Sequence, residues 1–345
     1  MPTRRWLAWI CGALLLGPGT EAGAQARPDV RVTGLFIGFW SADLGPGADG
    51  NNRFDISRAY VNLVGRMSER VTGRITTDAI REDGEELEVR LKYAFAAYAM
   101  PDAGLTARFG LTQTPFVEFE EAVWEHRMQG SIPADRLKFM SSSDLGLAVD
   151  GAWGDGDRLQ VTAGVYNGEG WSQGSGDAGK DLMARATVRL ASGNDPGPLG
   201  GLRLTGYGQV GSPTGGGTRQ RGLGMLHWRS RQVTLATQVL VIRDRVDPQA
   251  GGPGPTVDAR LVGGFAVVKV PGSTVVLIGR LESFDPDRDT AGDRQTRWTA
   301  GAGVRLAPEL RLLGSLEHLE YQGGAPTAAL DAARTRVYLH AALTF

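Results

Sequence analysis

Apolar and polar residues alternate along most of this chain, in stretches of about ten residues broken by Gly-, Pro- and Asp-rich segments. A period of two is the mark of a β-strand with unlike faces. Sixteen strands are predicted, near residues 29–40, 53–66, 70–80, 86–99, 103–111, 144–153, 158–166, 182–191, 200–210, 219–229, 232–243, 257–270, 273–284, 295–306, 309–321 and 334–345. The last is the clearest: Val337, Leu339, Ala341, Leu343 and Phe345 fall on one face, and Arg336, Tyr338, His340, Ala342 and Thr344 on the other. Such a strand suits a membrane β-barrel, with its apolar face to lipid and its polar face to a wet lumen. No apolar run reaches the roughly 18 residues that a helical membrane span requires.

The connections sort by parity. Every second one is short: 67–69, 100–102, 154–157, 230–231, 271–272 and 307–308, with 192–199 longer but rich in Gly and Pro. Those between are mostly longer and polar, such as 41–52, 167–181, 245–256, 285–294 and 322–333. Short turns at one end and long loops at the other are expected of an outer-membrane barrel, in which the turns are periplasmic.

Alternation also predicts faces. Leu87, Val89, Leu91, Tyr93, Phe95 and Ala97 should point outward, and Glu86, Glu88, Arg90, Lys92 and Tyr98 inward. Leu145, Leu147, Val149 and Trp153 go outward with Asp150 inward; Leu182, Ala184, Ala186, Val188 and Leu190 go outward with Arg185 and Arg189 inward. Strands 29–40 and 219–229 fit either phase, and a bulge is expected in each.

Composition agrees with a barrel. Hydrophobic content is 41% and there are 50 glycines, as for a fold that spreads apolar residues over an outer surface and has no packed apolar centre. At the N-terminus, Arg4 and Arg5 precede an apolar stretch from Trp6 to Leu16, and Ala22-Gly23-Ala24 offers a cleavage site. Residues 1–24 are thus expected to be a signal peptide, leaving a barrel domain over 25–345; Ala24-Gln25-Ala26 is a second possible cut. Cys11, the only cysteine, lies within that segment, so no disulfide staples the mature domain. Without the first 24 residues there are 35 basic and 37 acidic side chains, a balance that argues against general nucleic-acid binding.

One connection is far longer than the rest. Residues 112–143 join the fifth and sixth strands, and structureless loops of this length are uncommon unless functional. Its apolar content, including Phe116, Phe119, Trp124, Ile132 and Phe139, favours packing inside the barrel as a constriction over capping it from outside. Gln113, Phe116, Glu118, Glu120, Glu121, Arg127, Arg136 and Lys138 are its candidate functional residues. The proposed pore wall is basic: Arg58, Arg74, Arg90, Lys92, Arg108, Arg185, Arg189, Arg280, Arg305 and Arg336, with Arg158, Arg203, Arg260, Arg297 and Arg311 also inward. Asp78, Glu86, Glu88, Asp150, Asp258, Glu282 and Glu317 oppose them. A basic wall facing a net acidic loop sets a transverse field that sieves ions. Alternatively, these arginines pair with the loop and hold it in place.

Catalytic and metal signals are weak. No Gly-x-Ser-x-Gly elbow or zinc-type cluster is present, and no metal or other cofactor is expected. Asp285, Asp287, Asp289 and Asp293 read as a solvated acidic loop. A barrel enzyme would need a Ser or Asp beside a His at one rim, for which His318 near Glu317 is the loose candidate. A plugged barrel with a structural or adhesive role is a third reading.

Five segments, taken in order, resemble the phosphate-selective porin O and P family. They are Phe54–Gly65, Leu91–Tyr98, Arg108–Phe116 (RFGLTQTPF), Ser143–Leu147 (SDLGL) and Gly164–Gly170 (GVYNGEG). The resemblance implies a sixteen-stranded antiparallel transmembrane barrel, usually trimeric, in the outer membrane of a Gram-negative bacterium. Phosphate or polyphosphate would then be the alternative solute. Two cationic positions of the family pattern are Gln113 and Ser143 here, which predicts weak anion preference at most. Implied partners are outer-membrane lipid and lipopolysaccharide, small solutes or anions, and the barrel assembly machinery. The last would read the terminal strand ending at Phe345, which resembles a bacterial outer-membrane signature.

Overall fold

The computed structural model describes residues 29–345, apart from 46–47, 49, 82–85, 172–173, 175–177, 214–215, 248–253 and 324–332. The expected signal peptide lies outside the described residues. The sixteen strands are β1 (Asp29–Leu44), β2 (Asn52–Arg66), β3 (Val71–Arg81), β4 (Leu87–Met100), β5 (Leu105–Gln113), β6 (Ser143–Trp153), β7 (Leu159–Tyr166), β8 (Asp181–Ala191), β9 (Gly201–Gly211), β10 (Gly217–Arg229), β11 (Val233–Val246), β12 (Thr256–Lys269), β13 (Val275–Asp285), β14 (Gln295–Arg305), β15 (Leu310–Tyr321) and β16 (Ala333–Thr344). Each pairs antiparallel with its sequence neighbours, and β1 pairs with β16 to close the barrel.

Closure follows the predicted terminal strand. Leu35–Leu44 run against Thr335–Thr344 without a register break. Phe345 extends the ladder by exchanging backbone hydrogen bonds with Gly34 at 2.7 and 3.1 Å. Its ring lies over Gly34, where any Cβ would collide with it, so the glycine makes room for the terminal aromatic. The turns are compact. Between β4 and β5, Pro101 opens a 3-10 turn that Gly104 ends at φ 64°, a left-handed conformation that glycine adopts readily.

The outer face is apolar, as the alternation requires: Leu145, Leu147, Val149, Leu182, Leu204, Val239, Val241, Leu277 and Leu339 are all exposed there. Phe54 is 84% exposed and Phe109 71%, which a barrel in water could not sustain across so wide a belt.

Bulges revise several predicted faces. Thr76 pairs with Tyr93 and Thr77 with Leu91, so Lys92 is an extra residue in β4. Leu87, Val89 and Leu91 face outward as predicted, but beyond the bulge the phase inverts. Tyr93 and Ala97 are buried inside, Phe95 stands beside the inward Arg74, and Tyr98 turns out to the exposed face. The bulges expected in 29–40 and 219–229 are absent. One lies instead in β2, where Ser57 is skipped opposite β1, and another at Leu190 in β8. β10 pairs continuously on both sides, with Arg219, Arg221, Leu223, Met225, His227 and Arg229 inward. Arg260 and Asp258 face outward, because the inward partner of Ile242 is Ala259. The long connection is 114–142, since Thr112 and Gln113 finish β5 and Ser143 begins β6.

The bulge at Lys92 is directly testable, because Cys11 is the only native cysteine. In a chain lacking Cys11, single cysteines at Ala96 and Tyr98 should react with bilayer-soluble thiol probes, and one at Tyr93 should not. The reverse pattern would mean that β4 runs unbulged.

Candidate functional site: the inward-folded loop

The loop after β5 enters the barrel. It carries an α-helix, α1 (Val117–Trp124), a 3-10 turn (Arg127–Gln129) and a short helical turn, α2 (Pro133–Arg136). Helix α1 is too short to hold itself in water, so packing must fix it. Phe116, Val117, Val123, Trp124, Ile132 and Ala134 are almost wholly buried. They join Tyr207, Met225, Leu240, Leu261, Phe265, Val267 and Leu313 from the inner wall in one apolar cluster. Phe116 meets Tyr207 with ring centroids 5.6 Å apart, and Trp124 meets Phe265 edge-on at 4.9 Å. The expectation of a barrel without a packed apolar centre therefore fails on one side of the lumen. A signal for it was present: in β11 and β12 both faces are apolar, with Leu240, Ile242, Leu261 and Phe265 inward and Val239, Val241 and Val262 outward.

Arginines hem the loop to the wall. Arg185 donates to the Pro115 carbonyl at 2.8 Å and stacks on Phe119 at 4.2 Å. Arg280 donates to the Ser131 carbonyl at 3.1 Å and lies over Trp124 at 4.2 Å. Arg136 of the loop pairs with Glu282, and Arg221 reaches the Phe139 carbonyl and Asp244. Arg108 forks onto Asp150 at 2.6 and 2.9 Å and donates to Thr112 at 2.8 Å and to the Gln113 side chain. Arg108, Arg185 and Arg280 were predicted as pore wall. They do point inward, but all three are buried as anchors of the loop. Arg189 is also not in mid-lumen; it holds the β6–β7 turn through the Asp155 carbonyl. Arg305 lies at the turn end of the barrel.

The predicted acids divide. Glu120 is fully buried toward β11 and accepts a hydrogen bond from Gln238 at 2.7 Å, with Arg280 nearby. Burial pushes its carboxyl up to about 7, against the pull of Arg280. Glu118 lies against the Tyr93 side chain, and Glu121 pairs with Arg127, which lies close to Tyr60. The loop thus has an apolar side sealed to β8–β13 and a polar edge toward β2–β4. Lys138 opens toward a cavity of about 550 Å³ on the loop side, lined also by Arg58, Arg81, Arg219, Arg221 and Trp171.

Across from the polar edge, Lys92 donates to the Tyr60 hydroxyl at 3.0 Å, and Arg74 to Asn62 at 3.0 Å. Arg58 lies 3.8 Å from Asp78, Arg90 2.5 Å from Glu88, and Arg336 2.5 Å from Asp43. Sequence reasoning missed Arg219, Arg221 and Arg229, because the phase of β10 was ambiguous. It also missed Asp43, Asp181 and Asp244, which neutralise wall arginines. Glu317 and His318 fall on opposite faces of β15: Glu317 pairs with Arg297 inside, and His318 stacks on Trp298 outside. Among the described residues no group of His, Cys, Asp and Glu is arranged to hold a metal ion.

Two outcomes are expected. Trp124→Ala should free the loop, costing about 3–5 kcal/mol of docking, read as a lower thermal midpoint in detergent. Glu120 holds its proton in the folded state up to about pH 7 but releases it near 4.5 when unfolded. The folded state thus binds the extra proton between these values, and stability falls as pH rises through them. Glu120→Gln should raise the thermal midpoint at pH 8 and leave it nearly unchanged at pH 4; equal effects at both would refute the assignment.

No family model and no curated protein matches the sequence. Solved structures do. The chain is similar to an anion-selective porin from Comamonas acidovorans, with a TM-score of 0.67 and 11% identity over 92% of this chain and 100% of that one. It is similar also to OmpF of Salmonella typhi in complex with daunomycin, at TM-score 0.65 and 12% identity over 92% and 97% of the two chains. OmpT of Vibrio cholerae in its trimer form matches at TM-score 0.62 and 11% identity over 92% and 99%. At these identities the likeness is one of fold: the closed antiparallel barrel, shared over nearly the whole of each chain.

Proposed function

We propose that this chain is an outer-membrane porin of a Gram-negative bacterium, through which small hydrophilic solutes diffuse passively. One observation carries the reading. A closed sixteen-stranded barrel turns an apolar belt outward and a charged wall inward, and folds one long loop into its own lumen. The belt suits the hydrocarbon of a bilayer, where only closed barrels and helices satisfy every backbone polar group. Of the barrels it resembles in fold, one is described as an anion-selective porin and another, an outer-membrane protein, is described in a trimer form. Trimeric assembly, contact with lipopolysaccharide and insertion through the terminal strand belong to the same proposal.

Solutes would pass between the polar edge of the loop and the β2–β4 wall. There Glu118, Glu121 and Asp135 face Arg58, Arg74 and Lys92. Most other lumen arginines are already paired, so the wall offers less free positive charge than its count suggests. Weak anion preference follows. A tight phosphate site is disfavoured for a further reason. Gln113 is engaged by Arg108, and the Ser143 hydroxyl donates to the Lys92 carbonyl at 2.8 Å, so both serve the scaffold. The likeness to the phosphate-selective family rests on the five sequence segments alone.

A plugged barrel is the competing reading, favoured by the apolar cluster that seals the loop to half the wall. Conductance in a planar bilayer separates the two. Discrete ohmic steps are expected, with a chloride-to-potassium permeability ratio modestly above one; a silent barrel would support the plug. Glu118→Gln combined with Glu121→Gln should raise that ratio. The rise should be larger at about 0.1 M than at about 1 M salt, because the Debye length falls from about 10 to about 3 Å. Glu120→Gln should contribute little, since Glu120 faces the opposite wall. Saturable block by micromolar phosphate would instead favour the phosphate-selective alternative.

A further inference from the structure

The turn end of the lumen holds an arrangement that the loop contacts do not account for. Arg305, the last residue of β14, stands directly opposite Arg311 of β15. Both point inward: Arg311 is also paired with the buried Ala342 of β16, and Arg305 is two residues from the buried Gly303. Like charges directly opposite on neighbouring strands destabilise a sheet. Neither makes an ion pair among the described residues. Among the described residues, the one side-chain hydrogen bond of the two is from Arg311 to the Glu125 backbone carbonyl, at 3.3 Å.

The neighbouring charges are already matched. Arg229 binds Glu125 at 2.6 Å and Asp195 at 2.9 Å, and Lys269 binds the other oxygen of Glu125 at 2.8 Å. Two cations and two carboxylates thus close on one another. Glu309, in the adjoining turn, is exposed and makes no ion pair among the described residues. Arg305 and Arg311 remain, carrying two uncompensated positive charges. Beside them lies a cavity of about 270 Å³, lined also by Glu125, His126, Lys269, Ser273 and Thr274 and floored by Met128 and Leu313. The cavity sits between the tip of the inward loop and the wall, so an occupant would touch both.

We infer that this cavity binds a small divalent anion, inorganic or a short dicarboxylate, bridged by Arg305 and Arg311. Two guanidinium forks across one strand pair match the spaced oxygens of such a ligand, and its two negative charges equal the excess they leave. Lys269 and the Ser273 and Thr274 hydroxyls are further donors within the cavity lining. The ligand would relieve the cross-strand repulsion and brace the loop tip at Glu125. The binding rests on the barrel geometry alone; its placement at the periplasmic exit rests on the channel reading.

Two readouts test it on the full-length protein, with sulfate and succinate as probes at matched ionic strength. In detergent, either should raise the thermal midpoint more than chloride does. The combination of Arg305→Gln with Arg311→Gln should weaken that effect roughly tenfold or more in half-saturating concentration. Arg189→Gln, at the same end but outside the cavity, should leave it unchanged. In a planar bilayer, sulfate added on the turn side should reduce chloride current at lower concentration than sulfate added on the loop side, and the double variant should abolish the difference. Stabilisation no greater than by chloride, or stabilisation unchanged in the double variant, would overturn the site. A barrel that binds sulfate but passes no current would retain the site and refute the channel.

Discussion

Everything in this structure depends on closing the backbone ladder. Sixteen strands in an open sheet would leave two rows of unpaired N–H and C=O groups, costly wherever water is absent. The β1–β16 pairing removes both rows, and the Gly34–Phe345 exchange carries the ladder to the last residue. With no disulfide in the described barrel, this ladder takes the place of the covalent staples of small secreted domains. It also fixes which side chains share the lumen, because each register pairing brings two of them to the same face.

The loop shows how a barrel interior can be apolar on one side and polar on the other. A segment of this length loses much conformational entropy on docking, and polar contacts alone offset little of that loss in a wet lumen. Burying Phe116, Val117, Val123 and Trp124 against β9–β13 contributes more, at about 1.5–3 kcal/mol per large side chain. The arginine contacts to loop carbonyls then fix its path, since those carbonyls would otherwise be buried without donors. The polar edge stays outside this apolar seam, toward β2–β4. A loop bound equally on all sides would leave no such asymmetry.

Charge pairing tempers what a count of arginines implies. The lumen is nominally basic, yet Asp43, Asp181, Asp244, Glu282 and Glu317 each neutralise an arginine at short range. The cations that pair with no carboxylate among the described residues include Arg74 and Lys92 on the β2–β4 side, Arg185 under the loop, and Arg305 and Arg311 opposite each other at the turn end. Selectivity in such a lumen is set by a handful of positions and not by net charge. A neutral chain and a directional electrostatic path are therefore compatible.

The strand number, the sorting of turns and loops and the inward course of the long loop were legible in the sequence. Each follows from local regularities: period-two alternation, turn composition, and an apolar surplus in a segment too long for a simple turn. The bulges were not legible. Inserting Lys92 adds one residue and inverts every later face of β4, but no local feature distinguishes it from an ordinary strand residue. The phase of β10 was equally closed to inspection, since Gly222 and Gly224 occupy the outward positions at its centre, and with it went Arg219, Arg221 and Arg229. Partner choice was the other gap. Whether an inward arginine binds solute, a loop carbonyl or a neighbouring carboxylate depends on side chains brought together across the lumen from distant points in the chain. Alternation along a strand decides the face on which a residue stands. Only closure of the barrel and docking of the loop decided what stands opposite it.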